Sequence, residues 1–333
     1  MLANNAFGID LGTRTIKIYS AHSDTVTVEK NMIAIENKKN LFAYGDSAFE
    51  MFEKAPSNIE ISYPLCNGVI ADIKNMQLLL RNFIMDCNKG VIKPAEFYMA
   101  VPSDITDVEK RAFFDLVKDA NIKAKKIMRV EKAVADGLGL DIDVKNAQGI
   151  LVVNVGFHTT EISILSLGGI VLSKLIKIGG QKFDESIKNA IRKEYSLIVG
   201  NKTAESVKIS LKELEEAGKG AIVYGRDIVT GLPMEKEIPT DLVSESMLEN
   251  FNVIIDNIRV ILERTPPELA ADISDRGIVL TGGGSLIQGL EELIEEKTGI
   301  NTMTAEDPLT AVAIGTGKYI EYLADDDKKS KNK

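Results

Sequence analysis

Hydrophobic and polar positions alternate with a period of two near the start of the chain, over residues 8–28. Alternation of this kind is typical of half-buried strands, so it predicts an opening β hairpin. Apolar residues then take helical spacing over 75–86, and a short apolar run over 97–101 predicts a buried strand that ends before Pro102. The chain therefore begins with mixed β and α elements.

A capping-box pattern gives the clearest local helix signal. Thr106 is followed three positions later by Glu109, which predicts a helix over about 107–120. The strand pattern restarts after Asp143, and this restart predicts a boundary between two domains. The elements predicted beyond it are strands over 151–155, 161–166, 169–178 and 277–280, a hairpin over 221–239, helices over 206–217 and 244–264, a helix opening near Lys182, and a helix carrying Leu286, Leu290 and Ile294.

Composition narrows the class of protein. The 333 residues suit two lobes, and the apolar and charged fractions of 44% and 27% are those of a globular protein. No apolar run approaches the roughly 18 residues that would span a bilayer, and residues 1–6 lack a signal peptide, so we expect a cytoplasmic protein. The net charge of −9 argues against a nucleic-acid partner. Cys66 and Cys87 are expected to stay reduced, and residues 325–333 are expected to form a disordered tail.

The two halves of the chain each contain a strand, a glycine turn, a threonine and a second strand. The first copy carries Asp10, Gly12 and Thr13, and the second, over 151–161, carries Asn154 and Gly156 in a related pattern. Turn amides and hydroxyls suit phosphate oxygens, and a carboxylate suits the hydrated Mg²⁺ that accompanies them. An ordinary hairpin turn is the alternative in each case.

Other side chains extend these two loops. Lys17 on the returning strand is a candidate positive charge for phosphate, although a solvated surface lysine is the commoner role. Asn154 lacks the charge of an Asp. A carboxylate roughly 4 Å from a cation is worth about 4 kcal/mol at an effective dielectric of about 20, so its loss weakens metal positioning. A loss of about 1 to 3 kcal/mol in the transition state corresponds to a roughly five- to 150-fold slower reaction.

The second loop also carries two large residues, Phe157 and His158. A phosphate-binding turn often uses Gly to reach positive φ, and a Cβ at Phe157 or His158 would cost about 1 to 2 kcal/mol if φ were positive there. His158 is a candidate donor to a phosphate oxygen; the alternative is a half-exposed turn residue. Thr159 and Thr160 complete the loop.

Two further signals point to nucleotide chemistry. Gly282, Gly283 and Gly284 follow a buried strand and precede a predicted helix, which suits close approach of a planar ring or sugar; a tight strand-to-helix turn is the alternative. Glu131 lies at the predicted start of a helix, where it is a candidate general base that orients a water. An acidic residue in that position also stabilises the helix dipole without a chemical role.

Taken together, these segments resemble the MreB (rod shape-determining) family of bacterial actin homologues, within the actin, Hsp70 and sugar-kinase ATPase superfamily. The matched segments run in order over nearly the full chain: 7–13, 68–72, 101–102, 105–111, 178–180, 182–184, 203–205, 265–270, 275–284 and 305–310. A chance match of so many segments in one order is a poor explanation.

The resemblance implies an α/β, actin-like (ribonuclease H-like) fold of two lobes and four subdomains, with ATP and Mg²⁺ in a central nucleotide cleft. It implies polymerisation into paired protofilaments at the inner membrane. The implied boundaries are 1–146 for lobe I with subdomain IB inserted at about 31–64, 147–308 for lobe II with subdomain IIB at about 181–241, 309–323 for a C-terminal helix returning to lobe I, and 324–333 for the tail.

The resemblance also assigns site residues. Asp10 would face the hydrated Mg²⁺, and Glu131 would orient the attacking water, although the family's following Pro is Lys132 here. For the nucleotide, it places Gly12 and Thr13 at the phosphates, Glu205 and Lys208 beside the ribose and base, and Gly282, Gly283 and Gly284 along the adenosine pocket. The further candidates for nucleotide binding, from their positions in the two loops, are Arg14, Lys17, Gly156, Phe157, His158 and Thr159.

Departures from the family pattern concern turnover and membrane binding. Asn154, Phe157 and His158 replace Asp and two glycines of the second loop, and Arg14, Thr15 and Ile16 replace a small polar run in the first. The family often attaches to membrane through an amphipathic N-terminal helix or a bulky apolar loop pair. Here residues 1–5 are too short for that helix, and residues 88–94 offer only Val91 and Ile92.

Two functions from different classes follow. The first is an ATP-binding filament protein that organises cell shape and cell-wall synthesis, hydrolyses ATP slowly, and has itself, related bacterial actins and cell-envelope morphogenesis proteins as partners. The second is a non-hydrolysing structural paralogue that co-assembles with a related filament protein. Sugar kinases and chaperone ATPases of the same fold fit poorly, because the segment matches point to filament formers and 333 residues leave no room for a peptide-binding domain.

Overall fold

The structure, a computed structural model, describes the backbone of residues 5–331 and the side chains of residues 5–322. The chain divides into two compact units. Unit 1 comprises Met1–Val152, Ser163–Leu175 and Leu309–Lys333, and unit 2 comprises Val153–Ile162 and Ile176–Pro308.

The first half of the chain contains both β and α segments, as its hydrophobic pattern predicts. Its strands are β1 (Ala6–Leu11), β2 (Thr15–Ser20), β3 (Thr25–Lys30), β4 (Ile33–Glu36), β5 (Asn40–Tyr44), β6 (Ile59–Ser62), β7 (Leu65–Cys66), β8 (Val69–Ile70), β9 (Ala95–Val101) and β10 (Ala124–Glu131). Its helices are α1 (Gly45–Met51), α2 (Ile73–Cys87), α3 (Asp107–Asp119) and α4 (Lys132–Gly139).

Unit 1 is organised around a five-stranded sheet in the order β10-β9-β1-β2-β3. Strands β1, β9 and β10 are parallel, whereas β1, β2 and β3 form an antiparallel meander. Successive side chains of a strand point to opposite faces, so Phe7 and Phe97 join the core that includes α2 and α3. Their neighbours Ala6 and Tyr98 join the core that includes α4 and a C-terminal helix. Because both faces of β1 and β9 are covered, these strands are buried along their length.

The second half continues this mixed α/β organisation. Its strands are β11 (Ile150–Val155), β12 (Thr160–Ser166), β13 (Gly169–Ile176), β14 (Leu197–Ile198), β15 (Ala221–Asp227), β16 (Pro233–Ile238), β17 (Ile278–Thr281) and β18 (Thr302–Thr304). Its helices are α5 (Gly180–Tyr195), α6 (Asn201–Glu216), α7 (Thr240–Glu263), α8 (Pro267–Arg276), α9 (Leu290–Thr298) and α10 (Ala311–Lys331), with a short 3-10 helix over Gly283–Leu286.

These strands form a second five-stranded sheet, in the order β13-β12-β11-β17-β18, and a three-stranded sheet, β14-β15-β16. Within unit 2, the rings of Phe183 on α5 and Phe251 on α7 meet edge to face, 5.3 Å apart. The hairpin predicted over 221–239 is confirmed as β15 and β16. The helix predicted to carry Leu286 is wrong at its start, because the 3-10 turn intervenes and α9 begins at Leu290.

The end of the chain contains a long helix. Helix α10, Ala311–Lys331, includes residues 324–331 of the segment for which the sequence predicts a disordered tail. Residues 332–333 lie outside the described residues. Among the described residues, no helix is both long and apolar enough to cross a membrane. Neither Cys66 nor Cys87 forms a disulfide.

The capping box predicted for α3 is confirmed. The Glu109 amide donates to Thr106 Oγ1 over 3.3 Å, and the Thr106 amide donates to Glu109 Oε2 over 2.7 Å. Replacing Thr106 with Ala removes the first bond, so we expect the free energy of unfolding to fall by about 1 kcal/mol. Urea unfolding followed by circular dichroism would measure it. Val108→Ala is the control, since Val108 is 80% exposed in the same turn; equal effects of the two changes would contradict the cap's contribution.

Candidate functional site

Parallel strands of unit 1 bring two candidate carboxylates to one edge of the sheet. Asp10 on β1 lies opposite Ala100 on β9, and Glu131 on β10 lies opposite the next residue, Val101. Asp10 and Glu131 are therefore two strand spacings apart, or about 10 Å. Glu131 is exposed and directly precedes α4. Ligands of open α/β sheets bind at the carboxyl ends of strands, so this edge is the candidate site of unit 1.

The first glycine turn is tight because a carbonyl group fills the space beside it. A Cβ on Gly12 would lie 2.6 Å from the carbonyl oxygen of Thr15, which is too close for any side chain. Asn31 holds this turn from outside the motif, since its Nδ2 donates to the Gly12 carbonyl over 2.9 Å and its amide donates to the Arg14 carbonyl over 3.1 Å. Sequence reasoning missed Asn31, because nothing in the chain marks a contact across 19 positions.

A buried ion pair joins the two strands of the first hairpin. Asp10 and Lys17 are direct cross-strand partners, and Lys17 Nζ donates to Asp10 Oδ2 over 2.9 Å. Burial raises the pKa of the Asp10 carboxyl, but the charges of Lys17 and Lys132 and the hydrogen bond from Lys17 outweigh it, so the pKa lies below its usual value. The carboxylate is therefore held in its charged form, with two positive charges acting on it.

Thr13 and Arg14, the next two residues of the first loop, have side chains in different surroundings. Thr13 is buried within the turn. The Arg14 guanidinium instead lies over the Phe49 ring, 4.2 Å from its centroid, and hydrogen-bonds the Tyr63 hydroxyl. Aromatic contact of this kind stabilises a guanidinium through the ring's quadrupole. The structure thus links Arg14 to α1 and the segment after β6, which the sequence did not predict.

The second loop repeats the geometry of the first within unit 2. A Cβ on Gly156 would lie 2.9 Å from the carbonyl oxygen of Thr159, which is again three residues ahead. The Gly156 amide donates to the same oxygen over 2.8 Å. Both Gly12 and Gly156 therefore lie against the carbonyl oxygen of the residue three positions ahead, where a side chain would not fit. This supports the prediction that the two hairpins have a related structure.

The bulky residues of the second loop are accommodated without backbone strain. Neither Phe157 nor His158 has a positive φ, so the predicted cost of a left-handed backbone does not arise. The carbonyls of Gly156 and Phe157 accept from the first amides of α5, those of Gly180 and Gln181, over 3.0 and 2.8 Å. The loop is thereby fixed to the N-terminus of α5, where amides lack helical acceptors.

His158 is buried, so the expectation of a half-exposed residue is wrong. Its ring stacks on Phe157 with centroids 5.0 Å apart. Burial lowers the pKa of His158, and Lys182 lowers it further, whereas the charge of Glu185 and a hydrogen bond with Gln181 act in the opposite direction. The net shift is downward, so the fold favours the neutral imidazole.

This shift predicts a pH-dependent stability. Because the folded pKa of His158 is below the ordinary 6.5, the unfolded chain binds a proton more readily, and the stabilisation present above about pH 6.5 is lost as pH falls through the folded pKa. The difference in urea midpoint between wild type and His158→Gln should therefore shrink between about pH 7.5 and pH 5. His22→Gln is the control, since His22 is exposed; a pH-independent difference for His158→Gln would contradict the assignment.

Helix α6 contributes Lys208 and Glu205 to the candidate site of unit 2. Lys208 Nζ donates to Asp184 Oδ1 on α5 over 2.6 Å and to the Gly180 carbonyl over 3.1 Å. Both side chains of the pair are more than nine-tenths buried. Glu205, one turn earlier on α6, is half-buried. The structure therefore brings Lys208 to the start of α5, where Phe157 also packs.

The glycine-rich segment packs against the second loop. Gly282 has a φ of +80°, and a Cβ there would lie 2.5 Å from the Val155 carbonyl oxygen and 2.9 Å from Asn154 Oδ1. A Cβ on Gly284 would lie 2.4 Å from Val155 Cγ1. Packing against Val155 and Asn154 therefore leaves no room for a side chain at Gly282 or Gly284. The sequence did not predict this reason for the two glycines. Gly283 is exposed, which leaves its backbone open to a ligand.

In unit 1, Asp10 is the carboxylate of the first loop that could help to hold a Mg²⁺ ion together with nucleotide phosphates. Mg²⁺ in nucleotide sites is usually held by one or two carboxylates together with phosphates and water. The carboxylate of the first loop is bonded to Lys17, and the second loop carries the neutral Asn154. Within residues 5–322, no cluster of three or more His, Cys, Asp or Glu is arranged to hold a metal ion.

Comparisons with known proteins agree with this organisation. The sequence model of the MreB/Mbl protein family matches residues 4–328. The cell shape-determining protein Mbl of Bacillus subtilis (strain 168) is 37% identical over 320 residues, which cover 95% of this chain and 96% of Mbl. The cell shape-determining protein MreB of Escherichia coli (strain K12) is 36% identical over 332 residues, which cover 96% of this chain and 94% of MreB.

Solved structures give the same result. MreB5 of Spiroplasma citri, crystallised with ADP, superposes with a TM-score of 0.89 at 33% identity, covering 97% of this chain and 98% of MreB5. The same protein bound to AMPPNP gives a TM-score of 0.90. The predicted family resemblance and the actin-like α/β fold are thereby confirmed.

Proposed function

The chain belongs to the MreB/Mbl family, and from that premise we propose that it is an actin-like cytoskeletal protein that binds adenine nucleotide, assembles into filaments and takes part in cell-shape determination. Its relatives Mbl and MreB are cell shape-determining proteins. MreB5 of Spiroplasma citri binds ADP and AMPPNP. Nucleotide binding is the chemical part of this proposal, and filament formation is the cellular part.

The observation that carries the nucleotide proposal is the repeated glycine turn. Gly12 and Gly156 each face the carbonyl of the residue three positions ahead, at 2.6 and 2.9 Å from the position of a Cβ. Each turn carries a threonine, the buried Thr13 in unit 1 and the half-buried Thr159 in unit 2, whose amide and hydroxyl are the proposed donors. Such groups suit phosphate oxygens. Gly283 and the residues Glu205 and Lys208 are the proposed contacts for adenosine in unit 2.

We further propose that turnover is slow. Orienting a water for attack on the γ-phosphate requires a base, and Glu131 is the candidate because it shares the sheet edge with Asp10. Stabilising the charge of the transferred phosphoryl group requires cations or donors. Asn154 supplies an amide where the family has a carboxylate, so the position that would orient a metal ion is neutral. ATP is therefore expected to bind and to be converted to ADP and phosphate only slowly.

The alternative is a non-hydrolysing paralogue that assembles only with a related bacterial actin. The second loop favours this alternative, because Asn154 is neutral and the rings of Phe157 and His158 stack on each other. The Phe157 carbonyl also accepts a hydrogen bond from the start of α5. Under this alternative the protein contributes surface to a mixed filament and does not need to turn over nucleotide.

Sedimentation separates the two proposals. The protein would be pelleted with ATP, with ADP and without nucleotide, the pellets viewed by electron microscopy, and phosphate release followed in parallel. We expect filaments from the protein alone in the presence of nucleotide, with slow phosphate release. Filaments that appear only after a related bacterial actin is added would favour the alternative, and the absence of filaments in both settings would contradict both.

The location follows from the same proposal. We propose that the protein acts in the cytoplasm with cell-envelope morphogenesis proteins as partners. Peripheral contact with the inner membrane has little support, since Val91 is the exposed member of the apolar pair between α2 and β9 and Ile92 is half-buried. A vesicle-flotation assay would test it, and we expect little protein to float with anionic vesicles.

A further inference from the structure

A groove of about 470 Å³ lies between helix α6 and strand β15, within unit 2. Val207 and Leu214 make its α6 side partly apolar, and residues 221–224 of β15 form the opposite side. Lys208, by contrast, bonds Asp184 on α5. The groove therefore lies on a different face of α6 from Lys208, which is a proposed contact for nucleotide.

Strand β15 is paired along one edge but only partly along the other. On one side β16 pairs with it along nearly its whole length, whereas β14 pairs with its last two residues, Arg226 and Asp227. The chain leaves β14 at Ile198 and begins α6 at Asn201, so β14 stops where the groove begins. Within the part of the chain that the structure describes, no strand pairs with residues 221–224 on this side. The edge of β15 that faces the groove is therefore open.

Hydrogen bonds at the end of β15 show which backbone groups face the open edge. The Asp227 amide donates on the β16 side over 3.0 Å, and the Ile228 amide donates to the Ser196 carbonyl, on the β14 side, over 2.9 Å. Successive backbone groups of an antiparallel strand alternate between its two edges, so those of Ile222 and Tyr224 point away from β16. Their side chains are 63% and 69% exposed. These two residues thus offer amides and carbonyls to an added strand.

One end of the groove is closed and positively charged. Because β14 ends opposite Arg226 and α6 begins shortly after it, Lys202 lies at the Tyr224 end of the groove. The first turn of α6 contains no acidic residue, and a helix N-terminus itself carries partial positive charge. Since β14 occupies the edge beyond Tyr224, an added strand has to end there. The charge at this end favours a carboxylate over an ammonium group.

We propose that this groove binds the carboxyl-terminal segment of a partner protein, as a strand added parallel to β15. The backbone groups of Ile222 and Tyr224 supply the main-chain hydrogen bonds, as in other cases of strand addition. Alternate side chains of the segment pack on Val207 and Leu214, and its terminal carboxylate lies at Lys202. The partner is therefore an extended chain end with apolar residues at alternate positions. The inference goes beyond the proposed function and does not depend on nucleotide binding.

A peptide selection tests the proposal. Random peptides of about seven residues with free carboxyl ends would be displayed on phage, selected on the full-length protein, and counter-selected on Ile222→Pro. We expect enriched peptides with apolar residues at alternate positions. A synthetic copy should bind in fluorescence anisotropy, and amidation of its carboxyl end should weaken binding by about tenfold or more. Failure to enrich any peptide, or equal binding of the acid and the amide, would overturn the proposal.

Ile222→Pro removes an amide of the open edge. Proline is tolerated at a strand position whose amide has no partner in the sheet, so circular dichroism should show a folded protein. Peptide binding should weaken by about fivefold or more, because a main-chain hydrogen bond is lost. Ile222→Thr keeps the amide and the β-branched shape, so it is the matched control and should bind as wild type does. Equal effects of the two changes would contradict strand addition.

Lys202→Met tests the charged end without altering the edge. Binding of the free-acid peptide should weaken by about fivefold or more, because a charge-assisted contact is lost. Lys212→Met changes an exposed lysine of α6 that lies outside the groove, and it should bind as wild type does. Equal binding by wild type, Lys202→Met and Lys212→Met would overturn the assignment of the carboxylate, and the proposal with it.

A second copy of this chain is the alternative occupant of the open edge. Wild type and Ile222→Pro, each without peptide, would be compared by sedimentation over a range of protein concentrations. We expect the two proteins to sediment alike. Association of wild type that Ile222→Pro abolishes and Ile222→Thr preserves would identify the second copy as the occupant and overturn the proposal.

Discussion

Replacing Lys208 with Met should lower the free energy of unfolding by about 3–5 kcal/mol, because it leaves the buried Asp184 carboxylate without its ammonium partner. The pair is 2.6 Å long, and its side chains are 8% and 7% exposed. Lys208 also donates to the Gly180 carbonyl, so the start of α5 loses a second contact. Urea unfolding of nucleotide-free protein, followed by circular dichroism, would measure the loss.

An exposed pair in the same region provides the control. Lys182 and Glu185 of α5 are 2.7 Å apart, but their side chains are 50% and 40% exposed. Water screens such pairs, so Lys182→Met should cost no more than about 1 kcal/mol. The double variant Lys208→Met with Asp184→Asn should recover much of the stability that Lys208→Met loses, since neither charge then remains. Equal destabilisation by Lys208→Met and Lys182→Met would contradict the assigned role of the buried pair.

Replacing Asn154 with Asp should increase phosphate release from ATP by about tenfold or more, within a range of roughly five- to 150-fold. Asn154 is 5% exposed and its Oδ1 lies beside Gly282. A carboxylate at this position would provide an anionic oxygen of the kind that Mg²⁺ binds in nucleotide sites. The increase should therefore appear in buffer with Mg²⁺ and vanish in EDTA. Phosphate release under saturating ATP, in both buffers, would measure it.

Asn252→Asp is the matched control for that change. It adds the same charge at an exposed position of α7, so it should leave phosphate release unchanged. An Asn154→Asp protein that is folded, binds nucleotide and still releases phosphate at the wild-type rate would contradict the view that the missing carboxylate limits turnover.

Local sequence patterns were sufficient for several elements of this structure. Alternation with a period of two predicted that β1 and β2 form a hairpin, and the pairing of Thr106 with Glu109 predicted the start of α3. Both signals depend on residues only a few positions apart, where backbone geometry relates spacing directly to contact. The Asp10–Lys17 pair was predictable for the same reason. The sequence alone, however, suggested phosphate as the partner of Lys17, whereas the structure gives Asp10 as its partner.

Contacts between distant segments were not predictable in this way. The bond from Asn31 to the Gly12 carbonyl joins positions 19 residues apart, and the burial of His158 depends on how the second loop meets α5. The packing reason for Gly282 and Gly284 depends on Val155, which lies on a neighbouring strand but far away in the chain. Tertiary packing decides these features, and no local propensity encodes them.

The central claim is that this protein binds ATP but turns it over slowly because Asn154 leaves the second loop neutral. A single-turnover experiment tests it most directly: labelled ATP is mixed with excess protein, and bound and hydrolysed nucleotide are followed together for wild type and Asn154→Asp. The account predicts that wild type retains ATP and converts it about tenfold or more slowly than the variant. Failure of wild type to retain ATP, or conversion as fast as that of Asn154→Asp, would contradict it.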